Sequence, residues 1–320
     1  MVNGIPAITV LMSVFNTPPP MLKRSIESIL RQSLADFEFL ILDDGSAARP
    51  TQTHLAQAAA QDRRVRLVFE PHRGLTPTLN RGLDLARGDL IARQDADDWS
   101  EPNRLARQAA YLAAHPETGL LGSAASTHQA DETALWPIHM PETHAQILAA
   151  LDRRNPFVHG SVMFRRAAAR AIGGYREELG CSQDYDFFWR LAEAAGAANL
   201  AEPLYHYRYS AQSVSASRAA EQARAQRAAR LLAQARRRGE PEHVAQALAN
   251  AVGYEHGPVP GRNALLKQAD HLMLAGDYAH ARRAYWDLAR SHPASLLAWA
   301  KLARLAVFSV SPPLGRWSFR

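Results

Sequence analysis

The stretch LIARQDADDWSEP, residues 90–102, begins as an apolar run and ends in three crowded carboxylates, Asp95, Asp97 and Asp98. On an extended chain end Asp95 and Asp97 would point the same way, because side chains along a strand alternate with a period of two. Two carboxylates that face one spot repel each other unless a cation lies between them. A hard divalent ion, Mn²⁺ or Mg²⁺, binds few protein carboxylates and adds water and phosphate oxygens. The stretch therefore predicts a metal and diphosphate site; the alternative is a solvated acidic loop that caps a helix beginning at Pro102.

Apolar runs alternate with amphipathic segments on both sides of this stretch, which predicts parallel strands joined by helical crossovers and an α/β fold. The carboxyl ends of parallel strands share one edge of the sheet, so residues 43–44 and 95–98 are expected in one cleft. Strands are predicted at residues 7–16, 37–46, 64–70, 89–93, 119–125, 161–164 and 204–209, and helices at residues 17–32, 75–88, 103–114, 142–151 and 184–195.

The composition of the 320 residues is that of a globular protein, with 47% hydrophobic and 21% charged residues. The only cysteine, Cys181, excludes an internal disulfide framework and fits a reducing compartment. The N-terminus lacks the basic region and cleavage site of a secretory signal, and no stretch reaches the ~18 apolar residues of a spanning helix. We therefore expect a cytoplasmic protein.

The last third of the chain differs from the rest in charge and pattern. Residues 1–215 contain 21 Lys+Arg and 24 Asp+Glu, whereas residues 216–320 contain 16 and 7. We therefore predict a first domain over residues 1–215 and an all-helical extension over residues 216–320. Within the extension, residues 263–293 resemble one tetratricopeptide-type helix pair that turns at Gly276–Asp277.

Two interpretations of the basic extension stay open. One is a solvated helical cap. The other is peripheral attachment to an anionic membrane on the inner face, because the end of the chain mixes apolar and aromatic residues with Lys301, Arg304, Arg316 and Arg320. Nucleic acid is not an expected partner, since no recognition motif accompanies the charge.

Further polar residues follow other strands or begin a helix. Phe15 could stack on a base and Asp44 could accept a base N–H; the alternatives are a core-edge aromatic ring and an ordinary polar turn. Asp184 starts the amphipathic segment QDYDFFWRL, residues 183–191, where a carboxylate is often only a helix cap.

The ordered set of motifs resembles the family 2 glycosyltransferases, inverting enzymes with the GT-A fold. The resemblance covers about residues 5–215. It implies an α/β fold of GT-A type, with a mostly parallel mixed sheet flanked by helices, to which this chain adds the all-α extension. The matching segments are ITVLMSVFN, ILDDGS, RGLTPTLNRGLDLARGDLIARQDADD, HGSVMFRR, IGGYRE and QDYDFFWRL.

The resemblance also implies roles for individual residues. Asp184 is in the place of the catalytic base and Asp97 in that of the metal ligand. The usual Glu-Asp pair is Gln183-Asp184 here, which puts acceptor binding in question, and Ser210 stands where many relatives have a histidine. The other implied contacts are with the donor for Ser13, Phe15, Asp44, Arg73, Arg93 and Asp95, and with the acceptor for His159 and Gln183. The alternatives are surface or structural arginines for Arg73 and Arg93 and a satisfied structural histidine for His159.

The implied reaction is a single in-line displacement that moves a sugar from a nucleotide-diphosphate sugar, a UDP-sugar in the first place, to an acceptor hydroxyl. One base and one Mn²⁺ or Mg²⁺ ion suffice for it. Such enzymes build surface polysaccharide and lipopolysaccharide, so the expected acceptor is a glycan or lipid-linked glycan. A sugar nucleotidyltransferase would carry a Gly-rich loop after the first strand, and SVFNTPPP has no glycine. A helical adaptor with a degenerate nucleotide-binding domain is the second alternative, and detectable turnover would exclude it.

Overall fold

A nine-stranded mixed sheet forms the centre of the protein, whose computed structural model describes residues 6–210, 218–251, 262–293 and 295–308. The strands are β1 (Ile8–Val14), β2 (Glu38–Asp44), β3 (Val65–Glu70), β4 (Leu90–Asp95), β5 (Trp99–Ser100), β6 (Leu120–His128), β7 (Ala134–Ile138), β8 (Met163–Arg165) and β9 (Ala197–Arg208). Their order is β3-β2-β1-β4-β8-β6-β9-β5, and β7 pairs with β6 outside this path. The longer ladders, β1 with β2 and β4, β2 with β3, and β6 with β9, are parallel.

Helices cover both faces of the sheet, as expected when parallel strands are apolar on both sides. In β1, Leu11 packs into one apolar layer, whereas Val10 and Met12 pack into the other. The layer that holds Leu11 also contains α3, α5, α6 and α7; the opposite layer contains α1, α2 and α4. The helix bounds are α1 (Pro19–Leu30), α2 (Arg49–Gln61), α3 (Leu75–Leu85), α4 (Arg104–Ala114), α5 (His144–Leu151), α6 (Arg166–Ala171) and α7 (Gln183–Ala195).

The described part of the extension is helical, as predicted. Ala229 and Ala233 of the first helix join the apolar layer that contains α7, so the extension packs directly on the sheet domain. A turn at Gly276, where φ is +81°, and Asp277 joins the third helix of the extension to the fourth, at the predicted position. The likeness of this pair to a tetratricopeptide repeat stays a prediction. The helices are α8 (Ala219–Arg237), α9 (Val244–Asn250), α10 (Arg262–Leu274), α11 (Tyr278–Ser291) and α12 (Leu296–Phe308).

No helix within the described ranges is both long and apolar enough to cross a membrane. The residues cited for membrane attachment are only partly covered: Lys301 is described, whereas Arg316, Arg320 and the side chain of Arg304 lie outside the described residues.

Two expectations about local structure were wrong. β4 ends at Asp95, and Ala96–Asp97 form a turn, so strand alternation does not orient Asp97. The helix predicted at residues 103–114 spans Arg104–Ala114, and it has no side-chain cap from the acidic stretch, which does not fit the alternative of a capping loop. The last strand begins at Ala197 rather than near residue 204, because its first half lies beside β6 with register shifts and lacks a clean alternating pattern.

Candidate active site

Three loops meet at the carboxyl ends of β1, β2 and β3. The backbone N–H of Asn16 donates to Ser46 Oγ at 2.8 Å, and Asn16 Oδ1 accepts from the backbone N–H of Ala47 at 2.9 Å. Gly45 has φ of +71°, and a Cβ there would lie 2.6 Å from the backbone nitrogen of His72. The close approach that glycine permits lets the loop after β3 pack against the loop after β2.

The Asp44 carboxylate holds the loop after β3 against the loop after β2. Its side chain is 2% exposed, and its two oxygens accept from the backbone N–H groups of Arg73 at 2.8 Å and Gly74 at 2.9 Å. His72 Nδ1 lies 2.9 Å from the same carboxylate. The oxygens predicted to accept a base N–H are therefore engaged by the β3–α3 loop in this structure. The Arg73 residue itself is exposed at the rim.

Phe15 and His72 form an aromatic platform above Asp44. Their rings stack with centroids 4.1 Å apart and an angle of 18° between the planes. Phe15 is 47% exposed, although it is a large apolar side chain. An exposed flat ring at a cleft edge can stack on a planar base. His72 was missed in the sequence, because only the folding of β3 beside β2 brings it to Phe15.

Arg93 holds Asp95 in place at the end of β4. The Arg93 guanidinium is buried; it donates to Asp95 Oδ1 at 2.6 Å and to the backbone oxygen of Leu11 at 2.6 Å. The Asp95 side chain is 28% exposed, and Ser13 lies beside it in the β1–β4 register. Arg93 was predicted to contact the donor. This prediction does not fit the structure, because the side chain is fully buried and its guanidinium already donates to Asp95 and to the Leu11 backbone oxygen.

Tyr205 and Gly160 complete the support of Asp95. The Asp95 backbone N–H donates to Tyr205 Oη at 3.2 Å. A Cβ on Gly160 would lie 1.8 Å from Tyr205 Oη and 2.8 Å from Asp95 Oδ2, so only glycine fits there. The buried Arg104 donates to the Gly160 backbone oxygen at 2.7 Å. Sequence reasoning missed these groups, although the glycine in HGS, residues 159–161, was a visible signal.

The three carboxylates of the opening stretch are in different environments. Asp98 is 1% exposed and accepts from the backbone N–H of Arg208 at 2.7 Å, so its role is structural. Asp97 is partly exposed at the turn. Desolvation, and then the negative charge of Asp95, raise the pKa of Asp97 to about 6. Asp95 and Asp97 are therefore the two partly exposed carboxylates of the stretch, and their negative charges repel each other.

This pair fits a hard divalent cation. Carboxylate oxygens are the ligands that Mg²⁺ and Mn²⁺ prefer, and a cation would relieve the repulsion that raises the pKa of Asp97. Among the residues that the structure describes, no group of three or more His, Cys, Asp or Glu side chains could hold a metal. The donor set suits an ion that takes two carboxylates and fills its other positions with phosphate oxygens and water.

Asp184 lies in the first turn of α7, on another side of the cleft. It is partly exposed, and its Oδ2 accepts from Asn155 Nδ2 at 2.8 Å. The preceding Ser182 has φ of +52° and makes no side-chain cap, so the chain enters the helix through a left-handed residue. Gln183 is 7% exposed, which leaves little of its amide for an acceptor. No pattern in the sequence indicated Asn155 as the partner of Asp184.

His159 and Tyr175 lie between the two acidic positions. His159 Nε2 lies 3.3 Å from Arg93 Nε and 3.2 Å from Tyr175 Oη. Burial and the nearby Arg93 lower the pKa of His159, while the charges of Asp95 and Asp184 oppose this shift. The charges of both carboxylates thus reach one imidazole. His159, predicted on the acceptor side, is partly buried and engaged by Arg93 and Tyr175.

The sheet order and the carboxylates of the candidate site are accompanied by a match to a known protein family. Residues 9–173 match the family model described as "Glycosyl transferase family 2". The chain belongs to glycosyltransferase family 2. The family match stops before Asp184, so the position of that residue rests on the structure and on the sequence motif.

Relatives and solved structures agree with this membership. The putative glycosyltransferase EpsE of Bacillus subtilis is 33% identical over 216 residues, which are 64% of this chain and 74% of EpsE. The O-antigen biosynthesis protein RfbC of Myxococcus xanthus is 30% identical over 217 residues, 67% of this chain and 17% of RfbC. The uncharacterized protein y4gI of Sinorhizobium fredii is 29% identical over 262 residues, 81% of this chain and 27% of y4gI. The chain thus spans about a quarter or less of two of these relatives.

A similar fold occurs in the mannosyltransferase PcManGT from Pyrobaculum calidifontis, solved in complex with GDP-Man and Mn²⁺. Its TM-score is 0.55 at 19% identity, and the match covers 97% of this chain and 82% of that one. At this identity the likeness concerns the fold alone. Together with the family match, it confirms the predicted GT-A type of fold with added C-terminal helices.

Proposed function

We propose that this protein is an inverting glycosyltransferase that moves a sugar from a nucleotide-diphosphate sugar to an acceptor hydroxyl. The observation that supports this is that the charges of Asp95 and Asp184 both act on the partly buried imidazole of His159. A cation site and a general base then face the same space. The reaction needs a base on the acceptor side and charge neutralisation on the leaving-group side.

The donor would occupy the half of the cleft between β1 and β4. The nucleoside would lie on the Phe15–His72 platform, within reach of Ser13 and of the exposed Arg73. Asp44 would act by holding the platform loop, since its oxygens are engaged. Asp97, with Asp95 beside it, would hold Mn²⁺ or Mg²⁺ on the diphosphate. When bound, such an ion neutralises charge on the leaving diphosphate.

Asp184 would serve as the base. As the acceptor oxygen forms its bond to the anomeric carbon, the hydroxyl proton passes to an Asp184 oxygen, and the diphosphate leaves with the electron pair of the broken bond. Asn155 donates to Oδ2 at 2.8 Å and so orients the carboxylate, which leaves Oδ1 to face the hydroxyl. One displacement inverts the configuration at the anomeric carbon. Gln183 would contribute to acceptor binding only at its exposed edge.

The pathway class is proposed from the relatives. The names of RfbC and of the amylovoran biosynthesis glycosyltransferase AmsE of Erwinia amylovora refer to O-antigen and amylovoran, which supports surface polysaccharide or lipopolysaccharide synthesis. A glycan or lipid-linked glycan acceptor follows from that class, and so does a cytoplasmic location at the inner membrane face. Sedimentation with anionic liposomes at low salt tests the membrane part, and absence of binding would contradict it.

Calorimetric titration with UDP, GDP and dTDP, each with and without Mn²⁺, tests the proposal. We expect tight binding of one nucleotide, UDP in the first place, only when the metal is present. A screen of the corresponding sugar nucleotides for release of the nucleoside diphosphate should then detect turnover. Failure of all three nucleotides to bind with metal would contradict the proposed function.

A further inference from the structure

Helix α10 of the extension contacts both the residue that follows β9 and helix α8. At one end, the ring of His271 contacts Tyr209, the residue after β9, edge-on with centroids 4.9 Å apart. One turn earlier on the same face of α10, Lys267 Nζ donates to Gln222 Oε1 of α8 at 2.6 Å. The helix therefore runs from the β9 end of the cleft towards the start of α8.

Gln222 also connects Lys267 to the base. Ser182 Oγ donates to the backbone oxygen of Gln222 at 3.3 Å, and Ser182 comes two residues before Asp184. Cys181 shares an apolar cluster with Ala225 of α8. Helix α8 thus packs against the start of α7, and α10 packs against α8 so that Lys267 contacts Gln222 there.

The charges at this point are complementary. Lys267 is linked through Gln222 to Ser182, which comes two residues before Asp184. Desolvation lowers the pKa of Lys267, and the charge of the Asp184 carboxylate opposes this shift. An ammonium has three donor hydrogens, so Lys267 can hold Gln222 and a ligand oxygen at once. A cation there compensates for bringing a second negative charge close to the base.

We propose that the extension forms part of the active site, and that Lys267 binds an anionic group of the acceptor, a phosphate or a carboxylate, while Asp184 receives the hydroxyl proton. This inference rests on the proposed function, since it presupposes a sugar acceptor at Asp184. A neutral acceptor would need only amide and hydroxyl partners, whereas a partly desolvated ammonium is a strong and specific partner for an anionic oxygen.

The small number of lysines makes a direct test feasible. The chain contains only Lys23, Lys267 and Lys301. Limited acetylation followed by peptide mass spectrometry would report the reactivity of each. The Lys23 side chain is 62% exposed and serves as the internal reference, whereas Lys301 is paired with Asp270 at 2.5 Å. The probes are glucose 6-phosphate, glucuronate and neutral methyl glucoside, each added with Mg²⁺ and the nucleotide that binds.

We expect protection of Lys267, and not of Lys23, by at least one anionic probe. Protection by the phosphate alone, or by glucuronate alone, would identify the group. Equal protection by methyl glucoside, or no protection by either anion in protein that binds nucleotide, would overturn the inference. If no nucleotide binds at all, it is the proposed function that fails.

Variants give a second readout. K267Q should raise KM for an anionic acceptor by about 10- to 100-fold, the loss expected for a hydrogen bond to a charged group, with nucleotide affinity unchanged. K267R should retain most of the affinity, and K23Q is the matched control. Weaker nucleotide binding by K267Q would assign the lysine to the donor diphosphate, and an unchanged KM would remove it from the site; either result overturns the inference.

Discussion

Replacing Gly160 by alanine tests how the carboxylate end of the cleft is held. The added Cβ would lie 1.8 Å from Tyr205 Oη and 2.8 Å from Asp95 Oδ2, well inside contact distance. Tyr205 is fully buried and cannot turn towards solvent. Its hydroxyl must therefore leave the Asp95 backbone N–H, and the Asp95 carboxylate must shift as well.

The expected cost has two parts. Forcing a larger group into a packed interior costs about 1–3 kcal/mol. Leaving the buried Asp95 N–H without its partner costs about another 1–3 kcal/mol. We therefore expect Gly160→Ala to lower the free energy of unfolding by about 2–6 kcal/mol and to weaken metal-dependent nucleotide binding. Gly180→Ala is the control, because a Cβ there would meet only Arg218 Nη2, at 3.9 Å.

Urea unfolding of a double-mutant cycle with Tyr205→Phe is the decisive assay. Phenylalanine removes the oxygen that the new methyl would strike, although the ring carbon Cζ would still lie 2.4 Å from the added Cβ. The two changes together should therefore cost less than the sum of their separate effects, by about 1 kcal/mol. Nucleotide binding should recover only in part, since the contact with Asp95 remains. Strict additivity, or an alanine variant as stable as the Gly180→Ala control, would refute the proposed packing.

Three further outcomes are expected. Asp184→Asn should lower turnover about 100- to 10,000-fold with nucleotide affinity retained, and near-normal turnover would exclude it as the base. Asp97→Ala should weaken nucleotide binding in Mn²⁺ more than about tenfold, as EDTA should for the unchanged protein; equal titrations would contradict its role. His271 faces Lys267, Tyr209 and Ser210, and burial and then Lys267 lower its pKa to about 4. The His271 imidazole binds a proton near pH 6.5 in the unfolded chain but only near pH 4 in the folded protein. His271 should therefore lower the free energy of unfolding by about 2 kcal/mol between pH 7.5 and pH 5. Urea unfolding at both pH values checks this, and His271→Gln should remove that contribution.

The sheet was predictable because β1 and β2 are mostly apolar, β4 begins with an apolar run, and polar residues follow at their carboxyl ends. Because the carboxyl ends of parallel strands share one edge of the sheet, Asp44, Asp95 and Asp97 were expected at that edge. The same reasoning could not indicate which of the carboxylates face the cleft. Asp98 is turned inward by the Arg208 backbone, and β9, which supplies that backbone group, lies 110 residues away.

The roles of Arg93 and Lys267 show the other limit. An arginine near the end of a strand beside acidic residues suggests a ligand contact, yet the Arg93 guanidinium is buried and donates to Asp95 and to the backbone of β1. Lys267 lies in an Ala- and Leu-rich helix with no local signal of a site. Only the packing of α8 against α7 and the contact of Lys267 with α8 reveal it, and sequence spacing carries no information about contacts between such distant elements.

The apolar cluster that joins Leu179 and Cys181 to Ala225, Ala228 and Leu232 has an evolutionary consequence. The segment that precedes Asp184, the proposed base, is therefore held by the extension. It is not held by residues 9–173, the region that the family model matches. A lineage could not exchange or discard these helices as an independent module, because the start of α7 would lose its support. Substitutions in the two parts should therefore be inherited in compensating pairs, and a chimaera with another relative's C-terminal helices should require matching changes at residues 179–182.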